Sequence, residues 1–234
     1  DLLMERLDKE KQEEISQMKI RFYIDISHEL RTPLTLIVAP LQELIERIKG
    51  HWEHEKLSYI QRNTNRLLHL VNQLMDYRRA ELGIFELRPV YANAYKKVLN
   101  CFLNYENLSK RKDIDYNLYT ELQDEELLFD ETYLDLIVNN LLSNAFKYTE
   151  KGECITVRLY KEDNNLVLQV IDTGVGIPAE KQKKIFERFY QAESGHEGSG
   201  IGLSLVQRLV ELHHGHITLE SKVGEGSTFS IYIP

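Results

Sequence analysis

The stretch Asn139–Tyr148, NNLLSNAFKY, decides how the second part of this chain folds. At about 100° per residue, Asn140, Asn144 and Lys147 fall on one face of a helix, and Leu134, Val138, Leu141 and Ala145 fall on the opposite one. Asparagine is a mediocre helix former whose preferred places are caps and turns. Two of them at i and i+4, with a lysine at i+7, therefore call for a reason. The stripe combines carbonyl oxygens with an ammonium. That suits a Mg²⁺–phosphate group, which needs hard oxygen ligands for the metal and positive charge for the phosphate. The plain alternative is a solvated helix face.

Two glycine-rich segments follow. In VIDTGVGIP (Val170–Pro178) a strand ends at Asp172, and Gly174 and Gly176 let backbone come close to a flat ligand. A carboxylate there can accept from an exocyclic amine such as that of adenine and would repel the carbonyl of guanine. Asp and Gly are also ordinary turn residues. In EGSGIGLSLVQRL (Glu197–Leu209), Gly198, Gly200 and Gly202 lead into an amphipathic helix. Bare N–H groups at a helix start bind phosphate. No strand leads in and residue 203 is leucine, so this is not a dinucleotide fingerprint, and the lysine of a P-loop is missing.

Around these segments the pattern is α+β. FELRP (Phe85–Pro89) reads as a short strand, Tyr91 to Leu108 as a helix, and IDYNLYT (Ile114–Thr120) as a strand. Asp130 to Tyr148 is a helix, and Cys154 to Asp172 is a hairpin turning at Asn164-Asn165. Helices are expected near Ala179 to Phe189 and over Ile201 to His213, with strands at His216–Ser221 and Ser227–Ile233. The expected result is a mostly antiparallel sheet with helices on one face. The acidic QDEELL (Gln123–Leu128) reads as a solvated loop. HHGH (His213–His216) reads as a helix end with Gly215 as C-cap rather than as a metal site.

The first part is helical. Leu30, Leu34, Ile37, Leu41, Leu44 and Ile48 step by fours and threes, as do Leu57, Ile60, Thr64, Leu67, Val71 and Leu74. The turn between them is Lys49–His54. Upstream, Ile15, Met18, Phe22, Ile26 and Leu30 step mostly by fours, so the seam changes register just before His28. Leu68 and Met75 add a second apolar flank. One hairpin cannot bury that much apolar surface, and two paired as a four-helix bundle can, which predicts a homodimer. Within this part lies FYIDISHELRTPLTL (Phe22–Leu36). Its Pro33 costs a helix interior roughly 3 kcal/mol, one turn past His28.

The totals set bounds. With 234 residues the chain fits one large domain or two modest ones. It is 42% hydrophobic and 28% charged, as in ordinary globular proteins. A net charge of −8 disfavours direct nucleic-acid contact. Two distant cysteines and no C-x-x-C fit a reducing compartment. No apolar run approaches the ~18 residues of a membrane span. The expectation is a piece of a longer chain, with membrane attachment only through an upstream segment.

In this order, the asparagine stripe and the two glycine segments resemble the N, G1 and G2 boxes of the ATPase fold shared by DNA gyrase, the Hsp90 chaperones, MutL and histidine kinases. IFERFYQ (Ile185–Gln191) resembles the intervening F box, and GEGSTF (Gly224–Phe229) the last box. SHELRTPL (Ser27–Leu34) resembles the H box of sensor histidine kinases of two-component systems. The resemblance covers roughly Met18 to the C-terminus, and the style is similar to the kinase cores of hybrid sensors. Gln191 departs from the arginine common at its place.

The resemblance implies an antiparallel two-helix hairpin forming a dimeric four-helix bundle, followed by a Bergerat-type α/β sandwich that binds ATP. Residues 1–83 would be the dimerisation and histidine phosphotransfer domain, with 1–17 its upstream signalling helix, and 84–234 the catalytic ATP-binding domain. It implies that Asn144 holds Mg²⁺ and Asp172 reads adenine. The remaining nucleotide contacts would be Asn140, Lys147, Tyr148, Gly174, Gly176, Gly198, Gly200, Ile201, Gly202, Leu203 and Thr228. Gyrase-like members carry a water-activating glutamate where Asn140 stands, and asparagine is not a base. ATP should then hydrolyse poorly, its γ-phosphate going to His28. Glu29 can accept from Nδ1–H and point Nε2 outward. Thr32, one turn on, is implied to position water for dephosphorylating a response-regulator receiver domain, in cis in a hybrid protein or in trans. The expected location is the cytoplasmic portion of an inner-membrane sensor. The competing functions are a dimeric signalling scaffold with a vestigial ATP site and an ATPase of the same fold without phosphotransfer.

Overall fold

A computed structural model of the chain describes residues 34–38, 40, 41, 44, 56–61, 63–65, 67, 68, 71, 72, 75, 87–187, 190 and 200–234. His28, Glu29, Thr32, Pro33, Gly198 and the segments 49–54 and 1–17, where a turn and a helix are expected, lie outside the described residues. The chain divides into two compact units, Asp1–Phe85 and Glu86–Pro234.

In the first unit every described residue is helical. Leu34, Leu41 and Met75 are buried, whereas Ile37, Leu44, Ile60 and Leu67, all on the heptad seams, are about half exposed in the single chain. Thr64 returns its hydroxyl to Ile60 O at 2.9 Å, so a polar seam residue satisfies itself within its own helix.

The second unit begins with β1 (Val90–Asn93), α1 (Ala94–Lys112), β2 (Asp115–Thr120), β3 (Glu126–Phe129) and α2 (Glu131–Tyr148). It continues with β4 (Cys154–Glu162), β5 (Asn165–Asp172), the single-turn α3 (Ala179–Gln182), a 3₁₀ turn (Lys184–Phe186), α4 (Gly202–Leu212), β6 (His216–Lys222) and β7 (Gly226–Ile233). Five strands form one sheet in the order β2-β4-β5-β7-β6. The β2–β4 pair is parallel and the others antiparallel. Strand alternation sorts its side chains. Ile155, Val157 and Leu159 of β4, Leu166, Leu168 and Val170 of β5, and Phe229, Ile231 and Ile233 of β7 are all buried. They meet the apolar faces of α2 (Leu134, Ile137, Val138, Leu141, Ala145) and α4 (Leu205, Val206, Leu209, Val210), equally buried.

Caps explain where the helices start. Asn93 caps α1 by accepting from Lys96 N–H at 2.8 Å. Asp130 caps α2, its Oδ1 accepting from Thr132 N–H and Tyr133 N–H at 3.0 and 3.1 Å while its Oδ2 accepts from Arg88 N–H at 2.9 Å. Asp113, in the left-handed conformation with φ 56°, ends α1 after a last turn of Lys110, Arg111 and Lys112, whose charges favour a helix C-terminus.

Five local expectations are corrected. The first strand lies at Val90–Asn93, since Leu87–Pro89 has no regular structure and Pro89 has no N–H for a ladder. Helix α1 therefore runs from Ala94 rather than from Tyr91. QDEELL is not wholly loop, because Glu126–Phe129 pairs with β1 as a separate two-stranded ribbon. The hairpin turns at Asp163-Asn164, both at positive φ. After α4 it is His214, not Gly215, that takes the left-handed conformation (φ 58°). Gly215 is needed for close approach, since a Cβ there would lie 2.0 Å from Tyr232 O.

Candidate functional site

Helix α2 carries the polar stripe. Asn140, Asn144 and Lys147 are half-buried, while Leu141 and Ala145 between them are buried. Asn140 Nδ2 donates to Leu136 O at 2.7 Å, which turns its amide oxygen away from the helix backbone. Lys147 Nζ lies 4.7 Å from the centre of the Tyr148 ring, a cation–π contact that holds the ammonium at the end of the helix.

That helix end is seated on the first glycine loop. Val175 N–H donates to Tyr148 O at 3.3 Å, and a Cβ on Gly174 would stand 2.1 Å from the same oxygen. Only glycine lets the two backbones meet here. Gly176, at φ +69°, lies as close to Lys222 O on the other side. Asn144, Lys147 and Tyr148 are therefore positioned beside the loop that Asp172 opens.

Asp172 breaks the rule of its own strand. It pairs with Ile155 and so shares the core-facing side with Val170 and Leu168, where an apolar residue is expected. It is 7% exposed. Burial pushes its carboxyl up to about 6, opposed by hydrogen bonds from Gly174 N–H and Ser227 N–H. The Gly174 bond is 3.0 Å long. A buried carboxylate held by two backbone donors retains acceptor capacity for a ligand donor.

Helix α4 starts without a side-chain cap. Its N-cap, Ile201, is a buried apolar residue, and Gly200 before it is at φ +70°. Ser204 turns its hydroxyl to Ile201 O at 2.8 Å rather than to a free N–H. The first N–H groups of the helix, those of Gly202 and Leu203, have no partner within it, the condition under which a helix start can receive an anion.

The opposite end of α4 is tied to α2. His213 Nδ1 hydrogen-bonds Leu209 O at 2.8 Å, and His213 Nε2 accepts from Asp130 N–H at 3.3 Å. Burial lowers its pKa, so the ring is neutral and both nitrogens are occupied within the fold. His213 thus joins the start of the asparagine helix to the end of the glycine-box helix. Among the described residues no group of acidic, His or Cys side chains is arranged to hold a metal. A hard cation would instead meet the amide oxygens of the α2 stripe, which fit it.

Thr228 needs correction. It pairs with Ile171, one step out of phase with Asp172, so its side chain lies on the opposite face of the sheet. Ser227, the direct partner of Asp172, is the hydroxyl on the site's side. The alternation of Phe229, Ile231 and Ile233 marks the core face of this strand, and counting back by twos reaches Ser227. That signal was present in the sequence.

Residues 18–83 match the model of the His Kinase A (phospho-acceptor) domain, and residues 129–234 that of the histidine kinase-, DNA gyrase B- and HSP90-like ATPase. Histidine kinase P4 of Formosa agariphila is 36% identical, with all of this chain and 18% of the relative covered. The autoinducer 2 sensor kinase/phosphatase LuxQ of Vibrio vulnificus is 33% identical over 95% of this chain and 27% of its own. The chain thus spans less than a third of these two relatives. The crystal structure of full-length ShkA with AMPPNP superposes with a TM-score of 0.78, covering 92% of this chain and 45% of that one at 24% identity, a likeness of fold.

Proposed function

Because the chain belongs to the sensor histidine kinases, with a phospho-acceptor unit followed by an ATP-binding unit of the gyrase–Hsp90 type, we propose that it is an ATP-dependent autokinase that phosphorylates its own His28. The observation that carries this is the buried Asp172 at the end of β5, held by Gly174 and Ser227 N–H groups beside the Asn144–Lys147 stripe. It supports adenine at the carboxylate, phosphates toward Lys147 and the start of α4, and Mg²⁺ at Asn144.

Phosphoryl transfer asks mainly for positioning and charge neutralisation. The Mg²⁺ ion supplies neutralisation of the phosphate oxygens when bound. Lys147 adds a fixed positive charge, and the cation–π contact with Tyr148 limits its freedom. Glu29 accepts a hydrogen bond from His28 Nδ1–H, which fixes the tautomer whose Nε2 lone pair bonds the γ-phosphorus as the bond to the bridging oxygen breaks and ADP leaves, and it takes up the charge that develops on the ring. Asn140 cannot act as a base toward water, so the γ-phosphate waits for the histidine. The phosphoryl group then passes to the aspartate of a response-regulator receiver, in cis or in trans. Proline has no N–H, so Pro33 would offer none to the carbonyl of Glu29; a helix there would bend more easily and let His28 and Thr32 serve kinase and phosphatase geometries in turn. The half-exposed seam residues Ile37, Leu44, Ile60 and Leu67 support a homodimer. We assign residues 1–83 to dimerisation and phosphotransfer and 84–234 to ATP binding. We assign the core to the cytoplasmic side of a membrane sensor. No described helix is long and apolar enough to cross a membrane.

Incubation with γ-labelled ATP and Mg²⁺ tests the proposal. Label bound to protein supports the autokinase. Free phosphate alone would make the chain an ATPase, and neither would make it a scaffold with a vestigial site.

A further inference from the structure

One hydroxyl fastens the first glycine loop to the β6–β7 turn. Ser221 Oγ accepts from Ile177 N–H at 2.8 Å and donates to Gly226 O at 2.9 Å. Gln182 Nε2 bridges Ile177 O and Ser221 O, 2.9 Å from each. Gly224 N–H donates to Val175 O at 2.9 Å. The loop after Asp172 and the strand beside Asp172 are therefore one hydrogen-bonded piece.

Ser227 Oγ lies 3.0 Å from Ser221 Oγ. A hydroxyl owns a single hydrogen. That of Ser221 is committed to Gly226 O, so the hydrogen of the Ser221–Ser227 bond comes from Ser227. The Ser227 oxygen is then left with lone pairs only, on the face of the sheet that it shares with Asp172.

Resting on the assignment of Asp172 to a purine amine, we infer that Ser221 is a positioning residue for base selection. It turns the Ser227 hydroxyl so that an acceptor, not a donor, stands beside the Asp172 carboxylate. Two neighbouring acceptors suit a 6-aminopurine, whose amine has two hydrogens, and oppose a 6-oxopurine. Without Ser221 the Ser227 hydroxyl rotates freely and can donate to an oxo group.

The test is calorimetric titration of the full chain with ATP and with inosine triphosphate, each with Mg²⁺. The unmodified chain should prefer ATP. Ser221→Ala should narrow the ATP-to-inosine-triphosphate affinity ratio by roughly five- to tenfold, about the worth of one hydrogen bond, and Ser221→Thr should restore it. Ser227→Ala, which removes the acceptor itself, should narrow the ratio as well. A Ser221→Ala ratio equal to that of the unmodified chain overturns the inference, and so does an equal loss for both nucleotides, the mark of structural damage. If circular dichroism shows Ser221→Ala unfolded, Ser227→Ala decides, and an unchanged ratio there overturns the inference. Equal binding of the two nucleotides by the unmodified chain would instead refute the role of Asp172, and this inference with it.

Discussion

Replacing Asp172 by Asn should stabilise the ATP-binding unit while greatly weakening nucleotide binding. Burial lifts the carboxyl from 3.8 to about 6. The folded chain therefore holds a proton between pH 3.8 and about 6 that the unfolded chain has released, and stability falls as pH rises through that window. Above it, keeping the group ionised costs about 3 kcal/mol. Asparagine removes that cost and can still accept from Gly174 N–H, but its amide hydrogens oppose Ser227 N–H, which returns about 1–2 kcal/mol. The net gain is about 1–2 kcal/mol at pH 7.5, or roughly 3–6 °C in the transition of a unit of about 150 residues. Scanning calorimetry of the nucleotide-free chain should show that gain at pH 7.5, and the gain should shrink at pH 5, where Asp172 is already protonated. An amide nitrogen facing the adenine amine should weaken ATP by about 10³-fold. In the unmodified chain, ATP affinity should fall about tenfold per pH unit below pH 6. A variant less stable than the parent at pH 7.5, or one that binds ATP within a few-fold of it, would refute the reasoning.

Asp130→Ala removes the acceptor of three backbone N–H groups. It should lower stability by about 2–3 kcal/mol in denaturant titration, and a loss below about 0.5 kcal/mol would contradict the capping role. Tyr116→Phe should be neutral or slightly stabilising in the same titration. The ring stacks on Phe102 at 3.8 Å between centroids, and the buried hydroxyl has no hydrogen-bond partner among the described residues. A loss above about 1 kcal/mol would mean that the hydroxyl is satisfied in solution. Thr32→Ala should keep most autophosphorylation and lose most receiver dephosphorylation, whereas Glu29→Ala should lose autophosphorylation strongly. The reverse pattern would remove this division of roles.

The parts of the fold legible in the sequence are those whose pattern is local. Helices α2 and α4 have apolar faces strong enough to fix their span to within a residue or two, and β4, β5 and β7 alternate or run apolar between clear turns. The β1–β3 ribbon was not legible, because Glu126–Phe129 is a strand only through its pairing with Val90–Asn93, a contact over some thirty-five residues. His214 took the place expected of Gly215 because Tyr232 O demanded the glycine for space. In the site, Asp172 and the glycines carried their chemistry in their residue types. Residue type does not separate Thr228 from Ser227, and only strand phase puts Ser227 on the side of Asp172. Ser221 and Gln182 gave no signal, since their importance lies in partners far along the chain.

The most direct test of phosphotransfer is labelling of the His28→Gln variant beside the parent, with γ-labelled ATP and Mg²⁺. The parent should take up label that is lost in acid and survives base, as a phosphoramidate does. The variant should bind ATP with unchanged affinity and take up none. Label that persists on the variant, or that resists acid on the parent, would contradict the assignment of His28 as the phosphoryl acceptor.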